Sequence, residues 1–257
     1  MTPPLPSLEL FDTHMHLERD GDPAEGFVAA RKNGVTRFLI AGGCLESSTR
    51  AAHVAAAEPG AWAAAGVHPH DAEDFDCLPP FEKLLALSEV VAVGEIGLDY
   101  HYDNSPRDAQ RRVFETFIDL AGQLGLPAIV HCREAFDDCL AILKNTLRAN
   151  QVFEIHSFTG TPDEARTVLE MGAYLSYNGM TTFRRADNIR ETLAIVPGER
   201  LLLETDAPWL APVPHRGKKN QPGYVRHIAE YVATFRKTPL AELAEQTTAN
   251  ARRFFNV

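Results

Sequence analysis

Short apolar runs and longer amphipathic stretches alternate along this chain from end to end. The runs predict strands at Leu8–Leu17, Arg37–Gly43, Ala61–Pro69, Val90–Tyr100, Pro127–Arg133, Val152–Phe158, Ala173–Gly179 and Arg200–Pro208. Helical stretches lie between them, among them Pro23–Asn33, Ser47–Ala57, Arg107–Leu124, Phe136–Leu147 and Pro162–Met171. Gly34, Gly125 and Gly172 each follow one of these, where a left-handed cap residue is wanted. Leu201, Leu202 and Leu203 form a continuous apolar run, as a strand buried on both faces requires. Two helices, Gly223–Phe235 and Leu240–Phe255, close the chain.

Eight β–α repeats within 257 residues predict an α/β fold, a (β/α)8 TIM barrel forming a single domain over residues 1–257. The competitor is a doubly wound open sheet. It would carry a Gly-rich turn after the first strand, and none is present. Residues 1–7 are expected to form a flexible N-terminal lead.

Composition narrows the class. Apolar residues make up 45% and charged residues 23%, the balance of a soluble globular domain. No apolar run is long enough to span a membrane, and the first residues lack the basic and apolar regions of a signal peptide. Cys44, Cys77, Cys132 and Cys139 form no Cys-x-x-Cys pair and are too few for a disulfide framework, which places the chain in a reducing, cytoplasmic setting. No obligate protein partner is evident, and a monomer is expected. The formal charge of −10 argues against a broad basic surface for gripping nucleic acid. A polyanionic substrate would need bound cations or a local basic cluster.

The candidate chemistry supplies both. His14 and His16 end the first predicted strand, Glu95 lies on the fourth and His131 on the fifth, and His156 and Asp206 end the sixth and eighth. Alternate strand residues share a face, so His14 and His16 point one way and Met15 the other. The C-terminal strand ends of such a barrel converge on one rim, where active sites form. Four imidazoles and two carboxylates there suit two divalent ions, with Glu95 as the bridge. Ions roughly 3.5–4 Å apart position a hydroxide and stabilise the leaving oxygen of a phosphoryl or acyl substrate. Asp206 combines ligation with a general-base role, and Glu204 shares its face by alternation.

Further residues gather at the same rim. His68 and His70 end the third predicted strand, and His68 is the candidate substrate contact. Arg133 follows His131 by two positions and should share its face. Arg184 and Arg185 follow the seventh strand, and His215-Arg216-Gly217-Lys218-Lys219-Asn220 follows the eighth. Cationic loops there would receive phosphates and supply the positive field that the composition lacks.

Three segments carry a resemblance: Gly94-Glu95-Ile96-Gly97-Leu98-Asp99-Tyr100, Leu202-Leu203-Glu204-Thr205-Asp206-Ala207-Pro208 and His215-Arg216-Gly217-Lys218. With Phe11-Asp12-Thr13-His14 and the closing Thr248-Ala249-Asn250-Ala251-Arg252-Arg253-Phe254, the chain resembles the TatD-type metal-dependent deoxyribonucleases of the amidohydrolase superfamily over nearly its whole length. The resemblance implies a two-metal site of His14, His16, Glu95, His131, His156 and Asp206. It also implies a 3'-5' exonuclease acting on DNA, with His68, Arg133 and Glu204 near the substrate. Met15, Ser157 and Ala207 depart from residues common in that family, none at a ligand position. Mg, Mn, Zn, Co and Ni all remain open as the ions. Two alternatives stand: hydrolysis of an ester or amide, such as deacylation of D-aminoacyl-tRNA, and non-catalytic metal binding.

Overall fold

The computed structural model describes residues 8–18 and 23–257, so the lead expected over residues 1–7 lies outside the described residues. The strands are β1 (Leu10–Met15), β2 (Val35–Ala41), β3 (Ala61–Ala65), β4 (Val90–Asp99), β5 (Ala128–Arg133), β6 (Phe153–Ile155), β7 (Tyr174–Tyr177) and β8 (Leu201–Leu203). All eight run parallel in one sheet in sequential order. A bridge between Met15 and Ala207 joins the two edges. There the His16 N–H donates to the Ala207 carbonyl at 2.8 Å and the Asp206 N–H to the His14 carbonyl at 2.9 Å. The sheet is a barrel, and the open-sheet alternative falls.

Side chains reinforce that seam. The buried Asp12 carboxylate accepts the Thr205 N–H at 2.7 Å and the Thr205 hydroxyl at 2.6 Å. Burial drives the Asp12 pKa well up, against the lowering effect of both Thr205 bonds.

The helices are α1 (Pro23–Lys32), α2 (Leu45–Ala57), α3 (Pro79–Leu85), α4 (Arg107–Leu124), α5 (Phe136–Thr146), α6 (Pro162–Glu170), α7 (Asp187–Ile195), α8 (Val225–Arg236) and α9 (Leu240–Phe255). In α4, Val113, Phe114, Phe117, Ile118 and Ala121 recur at helical spacing and are all buried. Gly125 ends it at φ 67°, a left-handed cap that glycine takes without a Cβ penalty.

Two apolar layers result. Between sheet and helices lies the larger, built around residues such as Phe38, Ile96, Phe114, Phe117 and Leu175. Inside the barrel, Phe11, Leu39, Ala64, Ile129, Tyr174 and Leu202 stack over Phe254 and Phe255 of α9. Phe255 lies 5.6 Å from Phe11 and Phe254 5.2 Å from Tyr174, ring centre to ring centre. Asn250 anchors that plug by donating to the carbonyls of Gly198 at 2.7 Å and Leu201 at 2.9 Å. The bottom of the barrel is thus packed, leaving only the top for chemistry.

Several strands end earlier than their apolar runs predict. β1 stops before His16, β3 before Val67, β6 before His156 and β8 before Glu204. The backbone leaves the ladder because the chain turns over the barrel mouth: Ser157 and Asp206 take left-handed φ values of 49° and 55°. No helix among the described residues is long and apolar enough to cross a membrane.

Candidate metal centre

Two irregularities of register set the ligands. β1 shifts against β2 between Asp12 and Met15, and the Thr13 hydroxyl donates to the Leu203 carbonyl at 3.1 Å while the neighbouring His14 ring faces Glu95. β4 shifts against β5 between Val93 and Ile96, and there the Glu95 N–H bonds the Gly42 carbonyl at 2.7 Å. Just beyond the second shift, Gly97 lets β4 and β5 come close. Its φ is 142°, and a Cβ would lie 2.0 Å from the His131 carbonyl oxygen.

Glu95 is the centre of the cluster. Its Oε2 lies 3.4 Å from His14 Nε2 and 3.3 Å from His16 Nε2. Its Oε1 lies 2.9 Å from His131 Nδ1, 2.8 Å from His156 Nε2 and 3.4 Å from His68 Nε2. Within each histidine pair the facing nitrogens are 3.1 Å apart. Asp206 joins the first side, its Oδ1 being 3.8 Å from His16 Nε2. Two nitrogens each at about 2.0–2.1 Å from one tetrahedral ion stand about 3.3 Å apart, so either pair fits a shared cation. The donor set therefore suits one ion on each side of the Glu95 carboxylate.

A second ring of groups surrounds these candidate ligands. The Ala41 carbonyl meets His16 Nδ1 at 3.1 Å. Asp99 Oδ2 lies 3.2 Å from His131 Nε2 and 3.1 Å from His70 Nε2. Glu204 Oε1 lies 3.6 Å from His156 Nδ1. Glu204 is itself held by the Ser176 hydroxyl at 2.6 Å and the Asn178 amide at 3.3 Å. Such partners fix the tautomer and ring orientation of a ligating histidine.

Electrostatics follow from burial and pairing. Burial alone would raise the Glu95 pKa, but the charges of His156 and His68 and the bonds from His131 and His14 hold it well below the usual carboxylate range. Burial pushes His14 down to about 4. For His156 burial is overcome by Glu95 and Glu204, which drive it well up. Asp206 is pushed up to about 7 by burial, against the charges of His156 and His16.

The cluster opens into a cleft of about 1690 Å³ whose wall includes His16, His68, Glu95, His131, His156 and Asp206. His68 and Arg133 line it as expected from sequence. Glu204 does not: it is fully buried beneath His156. His215 and Arg216 lie away from the wall. His215 stacks on Tyr224 at 4.0 Å and meets His227 at 3.1 Å, while the Arg216 guanidinium sits 4.2 Å over Phe183. Lys219 pairs with Glu18. Among the described residues the lysines and arginines of the wall are Arg50 and Arg133 alone, facing acids that include Glu46, Glu134, Asp137 and Glu164. The basic loops thus stand off the cleft wall, with Arg216 over a ring and Lys219 on a carboxylate, and do not supply the positive field expected of them there.

Sequence reading missed Asp99, Ser176 and Asn178. Asp99 was legible in principle, since it follows Glu95 by four strand positions and so shares its face. Ser176 and Asn178 carry no comparable signal, being small polar residues without a motif of their own.

Known proteins can now be set beside this geometry. A family model described as TatD related DNase matches residues 11–256. The chain is 40% identical over 253 residues to an uncharacterized metal-dependent hydrolase, YabD, of Bacillus subtilis strain 168, covering 96% of this chain and 99% of that protein. It is 38% identical over 236 residues to the 3'-5' ssDNA/RNA exonuclease TatD of Erwinia tasmaniensis, covering 89% of this chain and 91% of that one. The crystal structure of YJJV, a TatD homolog from Escherichia coli K12, matches with a TM-score of 0.92 at 28% identity, covering 98% and 99% of the two chains. Barrel, ligand cluster and relatives together define a metal-dependent hydrolase. The chain belongs to the TatD related DNase family.

Proposed function

We propose that this protein is a two-metal 3'-5' exodeoxyribonuclease acting on DNA in a cytoplasmic setting, with His14, His16, Glu95, His131, His156 and Asp206 as ligands. The observation that carries this reading is the division of the Glu95 carboxylate between two histidine pairs, Oε2 toward one and Oε1 toward the other. Relatives named as 3'-5' ssDNA/RNA exonucleases support the substrate class. When bound, divalent ions there polarise a phosphoryl oxygen and acidify a water.

The protein's own groups do the rest. Asp206, on the cleft wall with its Oδ1 3.8 Å from His16 Nε2, is the carboxylate that accepts the proton of the attacking water in this reading. Glu95 remains ionised and keeps both histidine pairs in register. Asp99 holds the His131 ring so that the nitrogen facing Glu95 carries a lone pair, while Glu204 offers His156 Nδ1 a carboxylate 3.6 Å away. His68, 3.4 Å from Glu95 Oε1 and on the wall, is placed to contact a phosphoryl oxygen. Arg133 lines the wall without an ion pair among the described residues and is placed to bind a neighbouring phosphate.

The test is shortening of end-labelled single-stranded DNA by chelator-stripped protein reloaded with Mg, Mn or Zn separately. Stepwise loss from the 3' end that requires metal and vanishes in Asp206→Asn is the expected result. Intact DNA with every metal, while metal analysis finds two bound ions, would overturn the reading and turn attention to esters and amides.

A further inference from the structure

The two aromatic side chains among the exposed large hydrophobic residues, Trp209 at 57% and Tyr102 at 55% exposure, both stand on the wall of the cleft. The other members of that set, Val28, Leu45, Leu87, Leu124, Val152 and Val213, are aliphatic and lie off the wall. Trp209 packs edge-on against His16 at 5.1 Å between ring centres. Tyr102 packs at a right angle to His70 at 5.5 Å, and the Arg133 guanidinium lies 4.8 Å from its ring centre. His16 belongs to the Oε2 side of Glu95, while His70 reaches the Oε1 side through Asp99 and His131. The two rings therefore flank the centre from opposite sides.

The backbone behind each ring is anchored. The Trp209 N–H donates to the Asp206 carbonyl at 2.9 Å, and its own carbonyl accepts the Asn220 amide at 2.5 Å. The Tyr102 N–H donates to Asp99 Oδ1 at 2.9 Å. Each ring is thus tied by its backbone to an acid of the site, three residues behind it. Exposed aromatic rings on the wall of an open cleft bind ligands with flat apolar faces, and with two side-chain torsions each they lose little entropy in doing so.

The charge of the wall supplies the second argument. Away from the metal centre the wall's lysine and arginine side chains among the described residues are Arg50 and Arg133 alone, so it offers little Coulomb attraction to the phosphates that flank the scissile one. Resting on the nuclease reading above, we infer that Trp209 and Tyr102 are stacking platforms for unpaired nucleobases on either side of the scissile phosphodiester. They make the enzyme selective for single strands, because the bases of a duplex have their faces covered by their neighbours. Stacking of this kind tolerates any base sequence.

The test uses metal-loaded enzyme and two single-stranded oligonucleotides of equal length and charge, one normal and one with abasic residues at its 3' end. Wild type should degrade the normal strand with a kcat/KM roughly tenfold or more above that for the abasic strand. Trp209→Ala and Tyr102→Ala should lose a similar factor on the normal strand and little on the abasic one, with Trp209→Phe restoring most of it. Equal rates on both strands by wild type, or an equal loss on both strands in the alanine variants, would overturn the stacking role while leaving the nuclease intact. If wild type shortens neither strand, the nuclease reading fails and the platforms fall with it.

Discussion

Asp99 Oδ2 lies 3.2 Å from Nε2 of His131, on the side of the ring opposite the nitrogen that faces Glu95. Nδ1 can therefore keep its lone pair for a cation only if Nε2 carries the proton and donates to Asp99. The acid is itself immobilised by the N–H groups of His101 at 3.0 Å and Tyr102 at 2.9 Å. Asp99→Ala should lower metal affinity by about 10- to 100-fold without unfolding the barrel. Competition against a chelating dye, with circular dichroism as the fold control, measures it.

Gly97 makes a very close backbone contact beside the site, and its substitution should be felt in folding as well as in binding. Gly97→Ala puts a Cβ 2.0 Å from the His131 carbonyl oxygen at a φ of 142°. A loss of roughly 3 kcal/mol or more in urea unfolding is expected, since β4 and β5 must separate.

Metal uptake should depend on pH with a defined sign. Asp206 titrates near 7 because burial raises it, and a protonated carboxyl cannot ligate. His16 and His131 are raised too, burial in each case being outweighed by bonds to Glu95 or Asp99. A cation must displace these protons, so affinity rises as pH climbs through about 7, by up to about tenfold per unit for each proton displaced. Calorimetry in buffers of different ionisation enthalpy will count the protons released.

Glu154 is fully buried in β6, and neither carboxyl oxygen finds a hydrogen-bond partner among the described residues. Burial raises its pKa well above the usual range, and the nearby Glu204 adds to the shift. A raised carboxyl pKa contributes stability that is present below its unfolded value and lost as pH rises through the folded one. Glu154→Met should therefore stabilise the protein at pH 8 by roughly 1–3 kcal/mol and flatten the loss of stability on the alkaline side. Urea midpoints measured at pH 5 and pH 8 provide the check.

Salt should matter little. With Arg50 and Arg133 as the lysine and arginine groups of the wall among the described residues, the slope of log affinity for single-stranded DNA against log salt should be no steeper than about −1.5. A slope several times larger would mean that the outlying basic loops swing in to meet the strand.

Periodicity and ligand order made much of this molecule readable in advance. The order of His14, His16, Glu95, His131, His156 and Asp206 along the predicted strands already implied convergence on one rim, and the six do converge. Strand alternation also placed His14 and His16 together. It failed where the backbone leaves the ladder: β8 ends at Leu203, so Glu204 drops beneath His156 while Asp206, at φ 55°, turns onto the cleft wall. Charge misled in another way. Arg216 and Lys219 looked like phosphate contacts because sequence cannot show that Phe183 and Glu18 occupy them.

The Asp12–Thr205 seam joins residues 193 positions apart, and His14 with His16 stands on one side of it while Asp206 stands on the other. A cation shared by these side chains would act as a staple across the joint between the first and last strands. A chain still open at that joint has no complete place for it. Ion binding and the pairing of the first strand with the last would then support one another, and a chain that holds the ion would resist opening at that joint more than one that does not.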